Sequence, residues 1–260
     1  MTKRYYLLAL ALLAPMLMVS SACDADPVEP EPVDQRAVLE TIYRKMNGDS
    51  WYRNDNWNTD APLDAWHGVG TDVKGNVISL EMRANGVTGV LAPELGMLQN
   101  MKSLVLNDND LTGSVPPELG NLQNLEKLNL SANHFSGAIP PDIYRLSKLA
   151  VLAIYGNKSM SGPISPELSK LTALEELHFG ANSFSGRVPP EIAELTGLNV
   201  LGLQFNGSLT GPLPLEFTRL TLDVFRWNVT RLCAPDEEEF RQWLATIPDM
   251  RGRSSVCPGG

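Results

Sequence analysis

The sequence predicts an α/β solenoid, with a curved parallel sheet on the concave side, 3-10 or irregular segments on the convex side, and a helical cap at each end. Three observations predict this fold class. Apolar residues follow an order that fits neither a helix nor a strand period, and the order returns every 24 or 25 residues. An asparagine recurs at one place in that order, and an amphipathic segment flanks the repeats at each end.

Residues 1–22 have the layout of a secretory signal peptide: Lys3 and Arg4, a short apolar run, and then small residues before Cys23. Small residues before a cysteine resemble the lipobox of bacterial lipoproteins, in which that cysteine carries the lipid. Ser20 stands where the lipobox usually has Leu. Ordinary cleavage after Ala22, leaving Cys23 as a free thiol, therefore stays the alternative. We expect export across the plasma membrane and a lipid anchor at Cys23 on the cell envelope or surface.

The acidic, proline-rich stretch over residues 23–33, "CDADPVEPEPV", should stay extended as a tether, because it has almost no core-forming residues. Residues 34–76 predict the N-terminal cap. Asp34 is placed to begin a helix that ends at Asn47-Gly48. Three tryptophans after it are interpreted as cap core rather than as sugar-binding platforms: Trp51, Trp57 and Trp66.

The repeats occupy residues 77–232 as six full units and a degenerate last one, which begin at Val77, Met101, Leu125, Leu149, Leu174, Leu198 and Leu222. In the shared pattern LxxLxLxxNxLxGxIPxxLxxLxx, the LxL leucines point inward and stack on those of neighbouring units. The asparagine amides should pair backbone groups at the turn after the strand and form a ladder: Asn85, Asn109, Asn133, Asn157, Asn182 and Asn206. Two units, at Leu149 and Leu198, carry one extra residue after the asparagine, which indicates a surface bulge or, alternatively, a ligand loop.

Residues 233–260 predict the C-terminal cap, a helix whose apolar face lies across the last repeat. Cys233 and Cys257 both fall in this segment, so they can form a disulfide in an oxidising compartment. The apolar face consists of Phe240, Trp243, Leu244 and Ile247.

With its Gly-x-Ile/Val-Pro motif, the repeat resembles the plant-type leucine-rich repeats of receptor ectodomains and of polygalacturonase-inhibitor-like proteins. The resemblance covers about residues 34–257 and implies a right-handed leucine-rich-repeat solenoid. That family has WxGVxCD in its N-terminal cap, whereas "WHGVGTD" at Trp66 to Asp72 has Thr71 in place of the cysteine. Together with Cys23, this departure favours a bacterial secreted lipoprotein over a plant protein.

Little in the sequence predicts catalysis. The formal charge of −9, which becomes −11 once Lys3 and Arg4 are lost, argues against nucleic acid as a partner. The three histidines fall in separate units, and no metal-binding, nucleophile or phosphate-loop motif is present. Glu176 and His178 share one face of a strand, but an open sheet does not exclude water, so we interpret them as a solvated pair. We expect no catalytic residue, metal or cofactor.

The concave face remains as a recognition surface. Most of its outward residues are small or polar, and the large exceptions are Tyr155, His178 and Phe205. Weaker polar candidates are Arg83, Lys127, Glu176, Gln204 and Arg226. These residues predict a non-catalytic monomer that binds a protein, peptide or polysaccharide. The alternatives are a structural or adhesive envelope protein without a specific ligand and an extracellular hydrolase.

Overall fold

The computed structural model describes residues 33–252 and 256–257, so the signal-peptide prediction and the lipidation of Cys23 lie outside the described residues. In chain order the elements are α1 (Gln35–Lys45), β1 (Val69–Thr71), β2 (Val77–Glu81), β3 (Thr88–Val90), β4 (Ser103–Val105), β5 (Asp110–Gly113), β6 (Lys127–Asn129), β7 (His134–Gly137), β8 (Val151–Ala153), β9 (Ser159–Pro163), β10 (Glu176–His178), β11 (Ser183–Gly186), β12 (Val200–Gly202), β13 (Ser208–Pro212), β14 (Val224–Arg226), β15 (Arg231–Cys233), α2 (Glu238–Ala245) and β16 (Asp249–Arg251). Within the described residues, no helix is long and apolar enough to cross a bilayer.

The concave side is a nine-stranded sheet in the order β1-β2-β4-β6-β8-β10-β12-β14-β16. From β2 onward every neighbouring pair is parallel and in register, so that Leu104 lies beside Leu80 and Leu128. These leucines are buried, and each contributes about 1.5 to 3 kcal/mol relative to an exposed side chain. The repeats account for the inner strands of this sheet, as their period predicts. The two caps add one strand at each edge.

A second parallel sheet follows the asparagine turns, in the order β15-β13-β11-β9-β7-β5-β3. Short 3-10 turns close each coil, and they run over Pro93–Met97, Pro117–Asn121, Pro141–Arg145, Pro166–Lys170, Pro190–Glu194 and Leu215–Arg219. The expected 3-10 convex side is therefore present. The second sheet was not expected.

The asparagine ladder joins the two sheets. The Asn157 side chain is fully buried; its Nδ2 donates to the carbonyl oxygens of Leu130 (3.1 Å) and Ile154 (2.9 Å), and its Oδ1 accepts from Phe135 N (3.1 Å). The other internal ladder positions bond in the same way. Each amide therefore satisfies backbone groups of its own unit and of the unit before it, which the turn would otherwise leave unpaired.

The N-terminal cap covers the first coil. The Asp34 carboxylate accepts from Ala37 N at 3.1 Å; α1 ends at Lys45, and the chain turns at Asn47, whose φ of 53° is left-handed. All three cap tryptophans are buried, and Trp57 contacts Tyr43 and Trp51 with ring centroids 5.8 and 5.0 Å apart. The cap core predicted from the tryptophans is therefore present, although its aromatic cluster also includes Tyr43.

The C-terminal cap closes the other end. Phe240 and Trp243 are buried, and Trp243 Nε1 donates to the Leu220 carbonyl at 2.8 Å. The predicted disulfide is confirmed, with the sulfurs of Cys233 and Cys257 2.00 Å apart. The described buried apolar residues all lie between residues 38 and 247, within the compact unit of residues 33–260.

Candidate ligand-binding site

The residue just before each ladder asparagine is left-handed, because the chain turns sharply away from the concave sheet there. Most units use Ala, Gly or Asp at this position; φ is 51° at Ala132, 77° at Gly156 and 55° at Ala181. Its N–H donates to the next coil, as from Ala181 N to the Gln204 carbonyl at 2.8 Å. Small residues suit the position, since a left-handed backbone brings Cβ close to the following carbonyl oxygen.

Phe205 occupies the same left-handed position with φ at 60°, which a bulky side chain rarely adopts. The conformation costs about 1 to 2 kcal/mol, and the neighbouring coils on either side must hold it. The residue is nevertheless 47 % exposed, so core packing does not explain an aromatic side chain here. A strained, exposed aromatic residue is a reason to look for a ligand site here.

Tyr155 lies two strands away from Phe205 and is 39 % exposed. A cavity of about 550 Å³ elsewhere is larger, but it is lined mainly by prolines and leucines of the turns. Between the two rings is a cavity of about 490 Å³, which we call the aromatic groove; it is lined by Tyr155, Lys158, Ala181, Asn182, Ser183 and Phe205. The structure therefore brings two of the three large predicted residues together on one open groove.

The two units that carry an extra residue are the units that supply the groove's aromatic rings. After Asn157 and Asn206 the chain makes a wider turn, in which Met160 N donates to Asn157 O (2.8 Å) and Leu209 N donates to Asn206 O (3.1 Å). Lys158 lies in the first of these turns and lines the groove. The extra residue of the unit at Leu149 therefore lies beside the groove, as the ligand-loop alternative requires.

Lys158 has no carboxylate within 4.0 Å in the described part of the chain, so its ammonium group is available to a ligand. Ser183 is also at the groove, but its hydroxyl donates to the Lys158 carbonyl at 2.7 Å. Sequence reasoning missed both residues. The extra residue after Asn157 was the signal that could have found Lys158.

Gln204 lies beside the groove, with its side chain folded across Gly180. A Cβ atom at Gly180 would be 2.7 Å from Gln204 Cδ, so the missing side chain is what makes room. Gln204 Oε1 is buried and accepts no hydrogen bond from the described residues. Gln204 therefore packs over Gly180 of the neighbouring unit.

The other predicted residues lie outside the aromatic groove. His178 is half-buried, with Nε2 2.9 Å from Glu176 Oε2, so these two side chains pair with each other. Arg83 pairs with Asp108 at 3.2 Å, and Lys127 is exposed on β6. These residues form no cluster with Tyr155 and Phe205.

Arg226 is paired within the C-terminal cap. Its guanidinium bonds to Asp249 of β16, and Arg251 Nε donates to the other carboxylate oxygen at 3.0 Å. Hydrogen bonding to Arg226, with a further contribution from Arg251, lowers the pKa of the Asp249 carboxyl. Arg226 therefore contacts the last strand of the concave sheet through this ion pair.

Within residues 33–252 and 256–257, no group of three His, Cys, Asp or Glu side chains is placed to hold a metal ion. The Glu176–His178 pair stands on an open strand face rather than in a closed pocket. The geometry of the aromatic groove suits contact with a ligand surface.

Comparison with known proteins identifies the fold. The family model described as a leucine-rich repeat region matches residues 76–214. The chain belongs to the leucine-rich-repeat family. A search among curated proteins finds no significant match.

Solved structures of plant proteins are similar to this chain. A plant ice-binding protein is 25 % identical with a TM-score of 0.74, over 85 % of this chain and 71 % of that one. The Arabidopsis thaliana SOBIR1 receptor-kinase ectodomain is 30 % identical with a TM-score of 0.58, over 70 % of this chain and 98 % of that one.

The ectodomain of the Arabidopsis thaliana receptor kinase GASSHO1/SCHENGEN3, in complex with CASPARIAN STRIP INTEGRITY FACTOR 2, is 28 % identical with a TM-score of 0.74. The match covers 81 % of this chain but only 26 % of that ectodomain. The plant-type repeat predicted from the sequence is confirmed by these neighbours and by the family match.

Proposed function

We propose that this protein is a non-catalytic recognition module that binds a protein, peptide or polysaccharide through its concave side, with the aromatic groove as the anchor. The observation that carries the proposal is Phe205, an exposed aromatic side chain held in a strained backbone conformation opposite the exposed Tyr155. Aromatic side chains bury large area at low entropic cost, which is why they dominate binding hot spots.

The family supports a binding role. Among the structural neighbours, the GASSHO1/SCHENGEN3 ectodomain is in complex with CASPARIAN STRIP INTEGRITY FACTOR 2, and the HAESA ectodomain is in complex with a peptide hormone ligand. A solenoid presents a long rigid surface whose outward residues vary without disturbing the core. The fold alone does not identify the ligand, so the proposal depends on the groove.

We further propose that the protein is exported and anchored through a lipid on Cys23, in a bacterial envelope or on the cell surface. The pattern over residues 1–22 and the small residues before Cys23 support this setting. The Cys233–Cys257 disulfide is in keeping with an oxidising compartment. Two acyl chains would hold the protein stably on the membrane, whereas one chain would not.

The test is capture of ligands from envelope extract by residues 33–260 and by a Tyr155→Ala/Phe205→Ala variant. Proteins and polysaccharides that are retained are both identified. Tyr52→Ala is the matched control, because Tyr52 is an exposed aromatic residue of the N-terminal cap. Circular dichroism and thermal unfolding must first show that all three proteins fold equally well.

We expect a ligand that is retained by the wild type and by Tyr52→Ala and is lost by the double variant. A ligand retained equally by all three proteins would place the binding site elsewhere on the molecule. If no ligand is retained by any of them, the result favours a structural or adhesive role.

A further inference from the structure

We propose that the binding surface continues from the aromatic groove to Val229 and that its ligand is a carboxylated polysaccharide. In this proposal the sugar rings lie on exposed apolar side chains, and the carboxylates pair with Lys158 and Arg231. The inference rests on the proposed function, because it names the ligand class of the same site. It adds Val229 and Arg231, which do not line the groove itself.

Val229 occupies in the last coil the position that Phe205 occupies in the coil before it. Its φ is 58° and it is 56 % exposed. A β-branched residue is an outlier in this conformation. Phe205 N donates to the carbonyl oxygen of Asn228 at 2.9 Å, so the two coils are joined at this point. Tyr155, Phe205 and Val229 therefore present exposed apolar side chains toward the C-terminal end of the solenoid, and we call them the apolar row.

The turn segments of the last four coils carry positive charge only. They are residues 155–160, 180–185, 204–210 and 228–232, and they contain Lys158 and Arg231 but no Asp or Glu. The equivalent segment at residues 107–112 contains two aspartates. The whole chain has a formal charge of −9, so these four segments differ in sign from the rest of the molecule. Charge complementarity therefore favours an anionic ligand beside the apolar row.

Both cations are free to pair with a ligand. Arg231 is exposed on β15 and, like Lys158, has no carboxylate within 4.0 Å in the described part of the chain. Lys158 follows Tyr155 by three residues, and Arg231 follows Val229 by two. Each end of the apolar row therefore has a cation close to it along the chain, and the guanidinium of Arg231 can bind a carboxylate with two hydrogen bonds.

The polar groups that line the aromatic groove are already bonded within the fold. The Asn182 amide donates to the carbonyl oxygens of Ile154 (3.1 Å) and Phe179 (2.9 Å). The Ser183 hydroxyl donates to the Lys158 carbonyl oxygen at 2.7 Å. A peptide backbone that lay here would lose water from its N–H and C=O groups without gaining partners, which costs free energy. The groove is therefore poorly suited to an extended acidic peptide.

A sugar ring avoids this cost. Its C–H groups form an apolar face that stacks on an aromatic ring, while its hydroxyl groups lie at the ring edge and stay in water on an open surface. Tyr155 and Phe205 supply two such aromatic surfaces, both exposed. A carboxylate at the edge of the sugar ring can meet a neighbouring Lys or Arg side chain. Carboxylated sugars therefore satisfy both the rings and the cations of this site.

The test measures binding of alginate and hyaluronan oligosaccharides, two carboxylated probes, to residues 33–260 by isothermal titration calorimetry. The carboxyl-reduced form of each is the neutral probe, and poly-L-glutamate is the acidic peptide probe. We expect saturable binding of at least one carboxylated probe that weakens as salt rises. Its neutral form and poly-L-glutamate should each bind at least about tenfold more weakly. No binding of either carboxylated probe would overturn the inference, as would equally tight binding of the neutral form or of poly-L-glutamate.

The assigned cations are tested by Lys158→Glu/Arg231→Glu, which should weaken binding of the carboxylated probe at least about tenfold. Lys148→Glu/Arg219→Glu is the matched control. It changes the net charge equally, and Lys148 and Arg219 lie just after and within convex 3-10 turns. An equal loss of binding in both variants would show that net charge alone is responsible and would overturn the assignment of Lys158 and Arg231.

The apolar row is tested by Tyr155→Ala/Phe205→Ala, which should weaken binding of the same probe at least about tenfold. Val229→Gly removes an exposed side chain together with the backbone strain, so thermal unfolding should show that it folds at least as well as the wild type. It should bind about threefold more weakly. Undiminished binding by Val229→Gly would overturn the extension of the site beyond Phe205.

The two proposals fail in different ways. If neither carboxylated probe binds but the envelope extract yields a protein or peptide whose capture depends on Tyr155 and Phe205, this inference falls and the recognition function stands. If neither a carboxylated probe nor any extract component depends on these two residues, both proposals fall.

Discussion

Replacing Asn157 by Ala removes three buried hydrogen bonds at the centre of the solenoid. Its amide donates to the Leu130 and Ile154 carbonyls and accepts from Phe135 N. At about 0.5 to 1.5 kcal/mol for each bond, the free energy of unfolding should fall by about 3 kcal/mol. For a domain of this size the midpoint of thermal unfolding should fall by roughly 6 to 12 °C.

Asn157→Asp should destabilise at least as much as Asn157→Ala. The aspartate keeps an acceptor for Phe135 N, but its second oxygen replaces a donor and faces the two carbonyl oxygens. A buried carboxylate without a partner costs more than a missing amide. This order of stability separates an effect of the hydrogen bonds from an effect of side-chain volume.

The assay is equilibrium unfolding in guanidinium chloride, followed by circular dichroism. Asn129→Ala is the matched control, because Asn129 is only half-buried and accepts one bond, from Ser131 N at 3.1 Å. It should cost less than about 1 kcal/mol. If Asn157→Ala costs no more than the control, or if Asn157→Asp is the more stable variant, the energetic role assigned to the ladder is wrong.

Three further predictions concern the caps and the convex side. Cys233→Ser/Cys257→Ser should lower the free energy of unfolding by about 3 kcal/mol, because the disulfide closes a loop with a sequence separation of 24 residues; an unchanged guanidinium midpoint would contradict this. Burial, with a smaller effect of Glu167, raises the pKa of Tyr144 to about 12 from 10.0. The contribution of Tyr144 to the free energy of unfolding is therefore complete below pH 10.0, and about 2 to 3 kcal/mol is lost as the pH rises towards 12. Urea unfolding of Tyr144→Phe across that window should not show this loss. Trp57→Ala should cost about 3 to 5 kcal/mol in thermal unfolding, since the ring is buried against Tyr43 and Trp51.

The concave sheet could be predicted because the spacing of the leucines determines the register of its strands. Leu104 and Leu128 stack only if consecutive units start at the same height, so the repeat period fixes the strand pairing. The two edge strands were harder to predict. β16 follows an irregular segment after α2, and nothing in its three residues marks a strand.

The second sheet was missed because its strands look unfavourable one at a time. Segments such as Ser159–Pro163 contain glycine and proline, which count against a strand assignment. They pair because the stacked coils place equivalent segments of successive repeats side by side. This sheet is a consequence of tertiary stacking, which local propensity does not report.

In the sequence, strand alternation placed Tyr155 and His178 on the outward face of the strands, Phe205 fell in the column just before the ladder, and all three were grouped as one candidate surface. The distinction needed the turn geometry, because the groove runs along the column next to the ladder and not along the middle of the strands. Lys158 has no place in an alternation scheme, since it belongs to the turn with the extra residue. Arg226 looked available because its partner Asp249 lies on the unpredicted strand β16.

A solenoid can tolerate a strained residue because its stabilising contacts lie elsewhere. The strain at Phe205, about 1 to 2 kcal/mol, acts on a side chain that contributes little to the leucine core. Burial of one leucine in each neighbouring coil offsets it. Gly156 and Ala181 hold the same position in the two preceding units, and their small side chains do not cover the ring. Two departures from the repeat therefore meet at the aromatic groove: a bulky residue at a position that is small in most units, although the last unit has Val229 there, and one extra residue after an asparagine.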